Sequence, residues 1–220
     1  MFSGYYKDLG TTPATATNDL VRQWTNQVGS NPLYSPGISN TYPLLKLNQL
    51  NGFAGLQFNG LAQFLTVASG CNEDPCTLVI VGNWNGSQTD PNPRIAGYNI
   101  ERSFYRNGSA HWGYYYNQAD VIHDLTQSAD TVSVAVLRVD NSALRTFRFN
   151  GANTGSIQGH TLAGSTRLAI GCHGSDGLEC GSCIVYEVLH YPYLPTGLTL
   201  LIGQSPNGLA TFQTSLAHSV

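Results

Sequence analysis

Charge is scarce in this chain. Only 10% of its 220 residues are Asp, Glu, Lys or Arg, well below the ~25% common in soluble domains, and the lysines are just Lys7 and Lys46. With a net charge of -3 there is no basic stripe to neutralise phosphates, which argues against a nucleic-acid partner. Long apolar runs are missing too. Nowhere do ~18 apolar residues follow one another, so no membrane-inserting helix is expected, and Met1-Phe-Ser-Gly-Tyr-Tyr-Lys-Asp8 lacks the apolar centre of a secretory signal. Those absences lead us to expect a protein soluble in the cell that makes it, or part of a particle released by lysis. Sustained helical periodicity is also lacking: Asp19 to Trp24 and Asp120 to Leu125 suit a helical turn or two at most.

What is present is β-forming. Hydrophobic residues make up 41% of the chain, with 24 Gly and 10 Pro, too apolar for disorder and rich in turn punctuation. Thr77-Leu-Val-Ile-Val81 is an almost unbroken apolar run, as expected of an inner strand. Val134 to Val139, Leu144 to Asn150-Gly151, Leu168 to Gly171 and Ile184 to Tyr191 follow as further strands separated by Gly, Asn and Ser. The Pro/Thr/Ala stretch Thr11 to Thr17 marks residues 1–18 as an extended N-terminal arm. Two apolar runs around Ser205-Pro-Asn-Gly208 predict a hairpin or tail over 196–220.

The order of these segments resembles the concanavalin A-like lectin and glucanase superfamily, in its laminin-G-like form, which also occurs in phage virion proteins. The resemblance rests on the x-Leu-x-Ile-Gly strand ending at Gly171 and on Ile184-Val-Tyr-Glu-Val-Leu-His-Tyr191. Upstream it rests on Asp19 to Trp24, on Leu50-Asn-Gly52 with Leu56-Gln-Phe-Asn-Gly60, and on Phe64 to Val67. It implies an all-β jelly-roll sandwich of two antiparallel sheets over residues 19–195. Asn26 stands where the family often has Asp, and the closing strand runs into Pro192 and Pro195 instead of a short helix.

Enzymes on this sandwich place acids at i and i+4 of one strand, flanking a glycosidic bond. The four glutamates Glu73, Glu101, Glu179 and Glu187 do not reproduce the Glu-x-Asp-x-x-Glu signature, so no catalytic residues are assigned. Glu187 is expected to partner backbone or an arginine at a sheet edge. His123, between Asp120 and Asp124, reads as a loop histidine, and neither a nucleophile elbow nor a phosphate loop is present. Cys71 and Cys76 bracket a turn-forming insert and suggest a small disulfide loop. Cys172, His173, Cys180 and Cys183 offer four zinc-type ligands. The missing second half of a zinc motif favours instead a disulfide or reduced loop, with an odd buried thiol, and no cofactor. Trp112, Tyr114 and Tyr116 alternate, so an extended strand sets them on one face, to stack on a glycan or partner or else to pack the core. The sequons at Asn85 and Asn107 read as ordinary turns.

The expected function is therefore non-enzymatic. First comes a structural or adhesion protein of a virion, a bacteriophage capsid decoration protein or a tail-associated receptor-binding component, homo-oligomeric and held to other virion proteins. The alternative is a free carbohydrate-binding lectin, extracellular or at the cell surface, contacting a surface glycan. A divergent glycoside hydrolase comes third.

Overall fold

The computed structural model describes residues 2–26, 32–37, 41–67, 75–84, 93–99, 102–106, 111–116, 119–126, 131–140, 142, 144–158, 167–172, 179–191, 199–204 and 210–215. These residues carry strands and turns and no α-helix.

Two antiparallel sheets make the sandwich. The larger runs β1 (Phe2–Tyr6), β2 (Gln23–Asn26), β3 (Leu33–Tyr34), β6 (Leu65–Val67), β15 (Ala169–Ile170), β8 (Arg94–Asn99), β9 (Arg102–Arg106), β10 (His111–Tyr116) and β11 (Ala119–Thr126). The smaller runs β14 (Ala152–Gln158), β13 (Leu144–Phe149), β12 (Ser133–Val139), β7 (Cys76–Trp84), β16 (Ser182–Tyr191), β5 (Phe53–Asn59) and β4 (Leu44–Leu50). The expected jelly-roll β-sandwich is thus observed.

The core lies between the sheets and follows the two-residue period of strands. Leu78, Ile80, Leu137, Phe147, Phe149 and Val185 point in from the smaller sheet, and Trp24, Leu65, Ile95, Phe104 and Tyr114 from the larger. The unbroken apolar run in β7 has a second cause. Val79 and Val81 face the other way, where Val134 and Leu189 join them in a separate buried cluster flanked by Tyr186 and Tyr191. Two Asn-Gly pairs set the hairpins: Asn51 and Gly52 (φ 51° and 83°) join β4 to β5, and Asn150 and Gly151 (φ 49° and 84°) join β13 to β14. Both residues left-handed is the geometry of a type I′ turn, whose twist matches that of paired strands.

Three expectations need correction. The N-terminal segment is not a free arm: β1 pairs antiparallel with β2, Tyr5 stacks on Trp24 with ring centroids 5.5 Å apart, and Ala14 enters the core. Aromatic burial outweighs the freedom a Thr/Pro-rich segment would otherwise keep. The two short stretches allowed a helical turn give strands instead. Gln23 and Trp24 lie on β2, and Asp120 to Leu125 lie within β11, which pairs antiparallel with β10 with a register slip at Asp124 and Leu125. At the other end, β17 (Thr199–Gln204) and β18 (Ala210–Ser215) form the expected hairpin, as a two-stranded sheet of their own.

Candidate functional site

On the side of the larger sheet away from the core, polar and aromatic groups converge on Arg94. It opens β8, and its backbone is clasped by the segment that follows the Gly/Cys-rich loop. Arg94 N donates to Glu179 O at 2.7 Å, and Arg94 bridges Cys180 in parallel. Cys180 is bonded to Cys172, and both sulfurs pack against Phe64. A Cβ on Gly181 would lie 2.6 Å from Arg94 O, so glycine alone permits this approach.

The Arg94 side chain is almost wholly buried. Its Nε donates to Glu179 Oε2 at 2.9 Å, while the guanidinium carbon sits 4.4 Å from the Tyr115 ring centroid and 5.0 Å from that of Tyr105. Those rings meet edge to face at 6.3 Å. Gly113 makes the arrangement possible, because a Cβ there would stand 2.8 Å from Tyr105 Cζ. Two buried polar atoms of this face, Arg94 Nη1 and Ser103 Oγ, have no hydrogen-bond partner. Ser103 lies directly across from Tyr115 in the β9–β10 register. Both atoms are closed off from solvent, and each such orphan costs about 1–3 kcal/mol. Glu179 keeps 31% of its side chain exposed, and Tyr115 is half-buried.

The residues expected from sequence are distributed differently. Tyr114 faces the core and meets Phe104 edge to face at 5.5 Å; the side chains of Trp112 and Tyr116 lie outside the described residues. Within Trp112-Gly-Tyr-Tyr-Tyr116 it is Tyr115, the residue out of phase with the expected trio, that joins the cluster. The Cys71–Cys76 disulfide is overturned. Cys76 opens β7 as a fully buried thiol whose Sγ lies 3.4 Å from the Tyr98 hydroxyl, and Cys71 lies outside the described residues. The zinc alternative fails because Cys172 and Cys180 spend their sulfurs on each other, and Cys183 is a core thiol whose pKa burial pushes up. His173 lies outside the described residues, as do Glu73 and Glu101, the sequon asparagines Asn85 and Asn107, and the side chain of His123.

Glu187 is not at a sheet edge. It lies on β16, an interior strand, at a bulge where the register slips between Val185 and Glu187. Burial raises its pKa, against the pull of the N-terminal amino group. Arg94, Ser103, Tyr105 and Glu179 were missed by sequence reasoning. The one local signal was Glu179 beside Cys180, a carboxylate fixed by a cross-link.

Comparison with known proteins bears on the fold. No protein-family model matches the chain, and no curated protein matches it. Among solved structures, Trypanosoma rangeli sialidase in complex with sialic acid matches with a TM-score of 0.61 and 12% identity, over 87% of this chain and 31% of the sialidase. The covalent intermediate of that sialidase with 2,3-difluorosialic acid gives 0.59 and 12%, over 82% and 30%. Its complex with the inhibitor DANA gives 0.54 and 12%, over 84% and 32%. The chain therefore spans less than a third of the sialidases it matches, and at such identity the likeness is one of fold. It supports a β-sandwich, without deciding the superfamily. It also counts against the expected virion role: the solved structures matched at these scores are those of a sialidase, and they lend the capsid or tail reading no support.

Proposed function

We propose that this chain is a carbohydrate-binding β-sandwich module without a hydrolytic centre of its own. The observation that carries the reading is the cluster on this sheet face, where the half-buried Tyr115 ring lies beside the Arg94 guanidinium and the part-exposed Glu179 carboxylate. Flat rings beside hydrogen-bonding groups are what sugars use, one face of the ring being apolar and the rim hydroxylated. The sialidase likeness supports the glycan side of this reading. The absence of hydrolysis rests on the missing acidic signature and on how the two described glutamates are used: Glu179 is held by Arg94, and Glu187 sits in the other sheet. A disulfide beside the cluster suits an oxidising setting such as the cell exterior, where surface glycans are the partner.

The test is calorimetric titration of the full chain with a panel of oligosaccharides, alongside reducing-sugar assays. Saturable binding that weakens about tenfold in Tyr115→Ala is expected, the loss of roughly one stacking contact. Failure of every glycan to bind, or turnover of any of them, overturns the reading.

A further inference from the structure

We propose that the C-terminal hairpin of this chain folds back over the outer face of the smaller sheet and seals it as a third layer. What calls for such a cover is burial without a described cause. Val79, Val81, Val134 and Leu189 are 1%, 3%, 2% and 7% exposed, although all four lie on the side of the sheet turned away from the core. The apolar residues packed around them, Tyr186 and Tyr191 among them, stand on the same sheet or at its margin. Among the described residues, no apolar side chain of another layer joins this cluster. Neighbours on one sheet shield a valine from the sides, and a layer above is needed to take the rest of its surface from water.

Position, pairing and composition make the hairpin the occupant. β16 ends at Tyr191, on the rim of the cluster, so the connection 192–198 starts beside the face. Extended, it reaches about 26 Å, against the ~10 Å from β16 across β7 to β12, and Pro192, Pro195 and Gly197 suit a chain that reverses direction. β17 and β18 pair with each other and with neither main sheet, and a lone two-stranded hairpin is marginal in water. Ile202 pairs with Phe212, so Leu200, Ile202 and Phe212 share one face by the two-residue period. No Asp, Glu, Lys or Arg follows Glu187 in the chain, so the hairpin can lie on an apolar surface without burying one of their charges. A short tether holds it there at a millimolar effective concentration, which favours the chain's own hairpin over that of a second copy.

A photoreactive benzophenone side chain at position 212 of the full chain tests it. Cross-links within one chain to peptides 79–81, 132–136 or 186–191 are expected. Cross-links between chains would give the face to a second copy, and cross-links to the larger sheet, or none at all, would leave the hairpin off the face; each of these overturns the proposal. Phe212→Asp in the full chain should raise the fluorescence of an apolar-surface dye several-fold and strip amides 199–215 of exchange protection, with β7 and β16 still protected. A folded Phe212→Asp that leaves either readout unchanged overturns it too. Should that variant fail to fold, the cross-linking alone decides.

Discussion

Glu187 shows how one residue can be set against its surroundings. Its carboxyl is half-buried beside Tyr5, whose phenol is pushed up to about 12 by burial first and by Glu187 second. A raised acid binds its proton more readily in the folded state, so its ionisation lowers stability as pH rises above the ordinary carboxylate range. Glu187→Gln should therefore raise the thermal midpoint at pH 7 by about 2 °C, a value that allows for solvent screening at a half-exposed group. The gain should vanish near pH 4. An unchanged or lowered midpoint at pH 7 in a scanning calorimeter would show that the ionised carboxylate stabilises the fold.

Asp8 and Asp19 behave in the opposite sense. Asp8 accepts from the amides and hydroxyls of Thr11 and Thr12, which hold its carboxyl well below the usual range. Asp19 accepts from Lys7 Nζ and from the amides of Thr15 and Ala16, and is lowered to about 2. Their contribution is complete above the unfolded value of 3.8 and is lost as pH falls toward 2. Hydrogen exchange of amides 11–16 should accelerate over that window, before the β7 and β16 amides lose protection. Simultaneous loss in all three segments would refute independent opening.

At the scale of elements, β1 decides what the first eighteen residues are for. Their removal would uncover Trp24, which is fully buried, and withdraw Ala14 from the core. Deleting residues 2–18 should cost about 3 kcal/mol or more, roughly 6–12 °C in midpoint for a chain of this size. A truncated protein melting within 2 °C of the intact one would return the segment to the status of a loose arm. The strands themselves were readable because each obeys a local rule: alternation in Val134 to Val139, and Asn-Gly at the two left-handed turns. β1 escaped notice because its stabilising contact is with Trp24, and nothing within Phe2 to Tyr6 announces that neighbour.

Across the whole molecule the same distinction separates fold from site. Two facing sheets with a two-residue period leave a record in the order of apolar residues, so the sandwich could be read before it was seen. The candidate site leaves no such record, because Arg94 and Glu179 stand 85 positions apart and meet only after β8 and the disulfide-closed segment are in place. The cysteines follow the same logic: spacing favoured Cys71 with Cys76, whereas the topology turned Cys76 inward and brought Cys180 to Cys172.

The position of β7 carries a consequence for how the chain reaches this state. It is apolar on both faces and lies between β12 and β16, so its partners emerge late in synthesis, the last of them nearly half a chain length after Trp84. Pairing across such separations is slow. Until β16 arrives, Cys76–Trp84 is an uncovered, charge-free strand of the kind that pairs with copies of itself. The yield of native protein is thereby set by a race between closure of the smaller sheet and association of nascent chains, and dilution or a chaperone that shields this one strand favours closure.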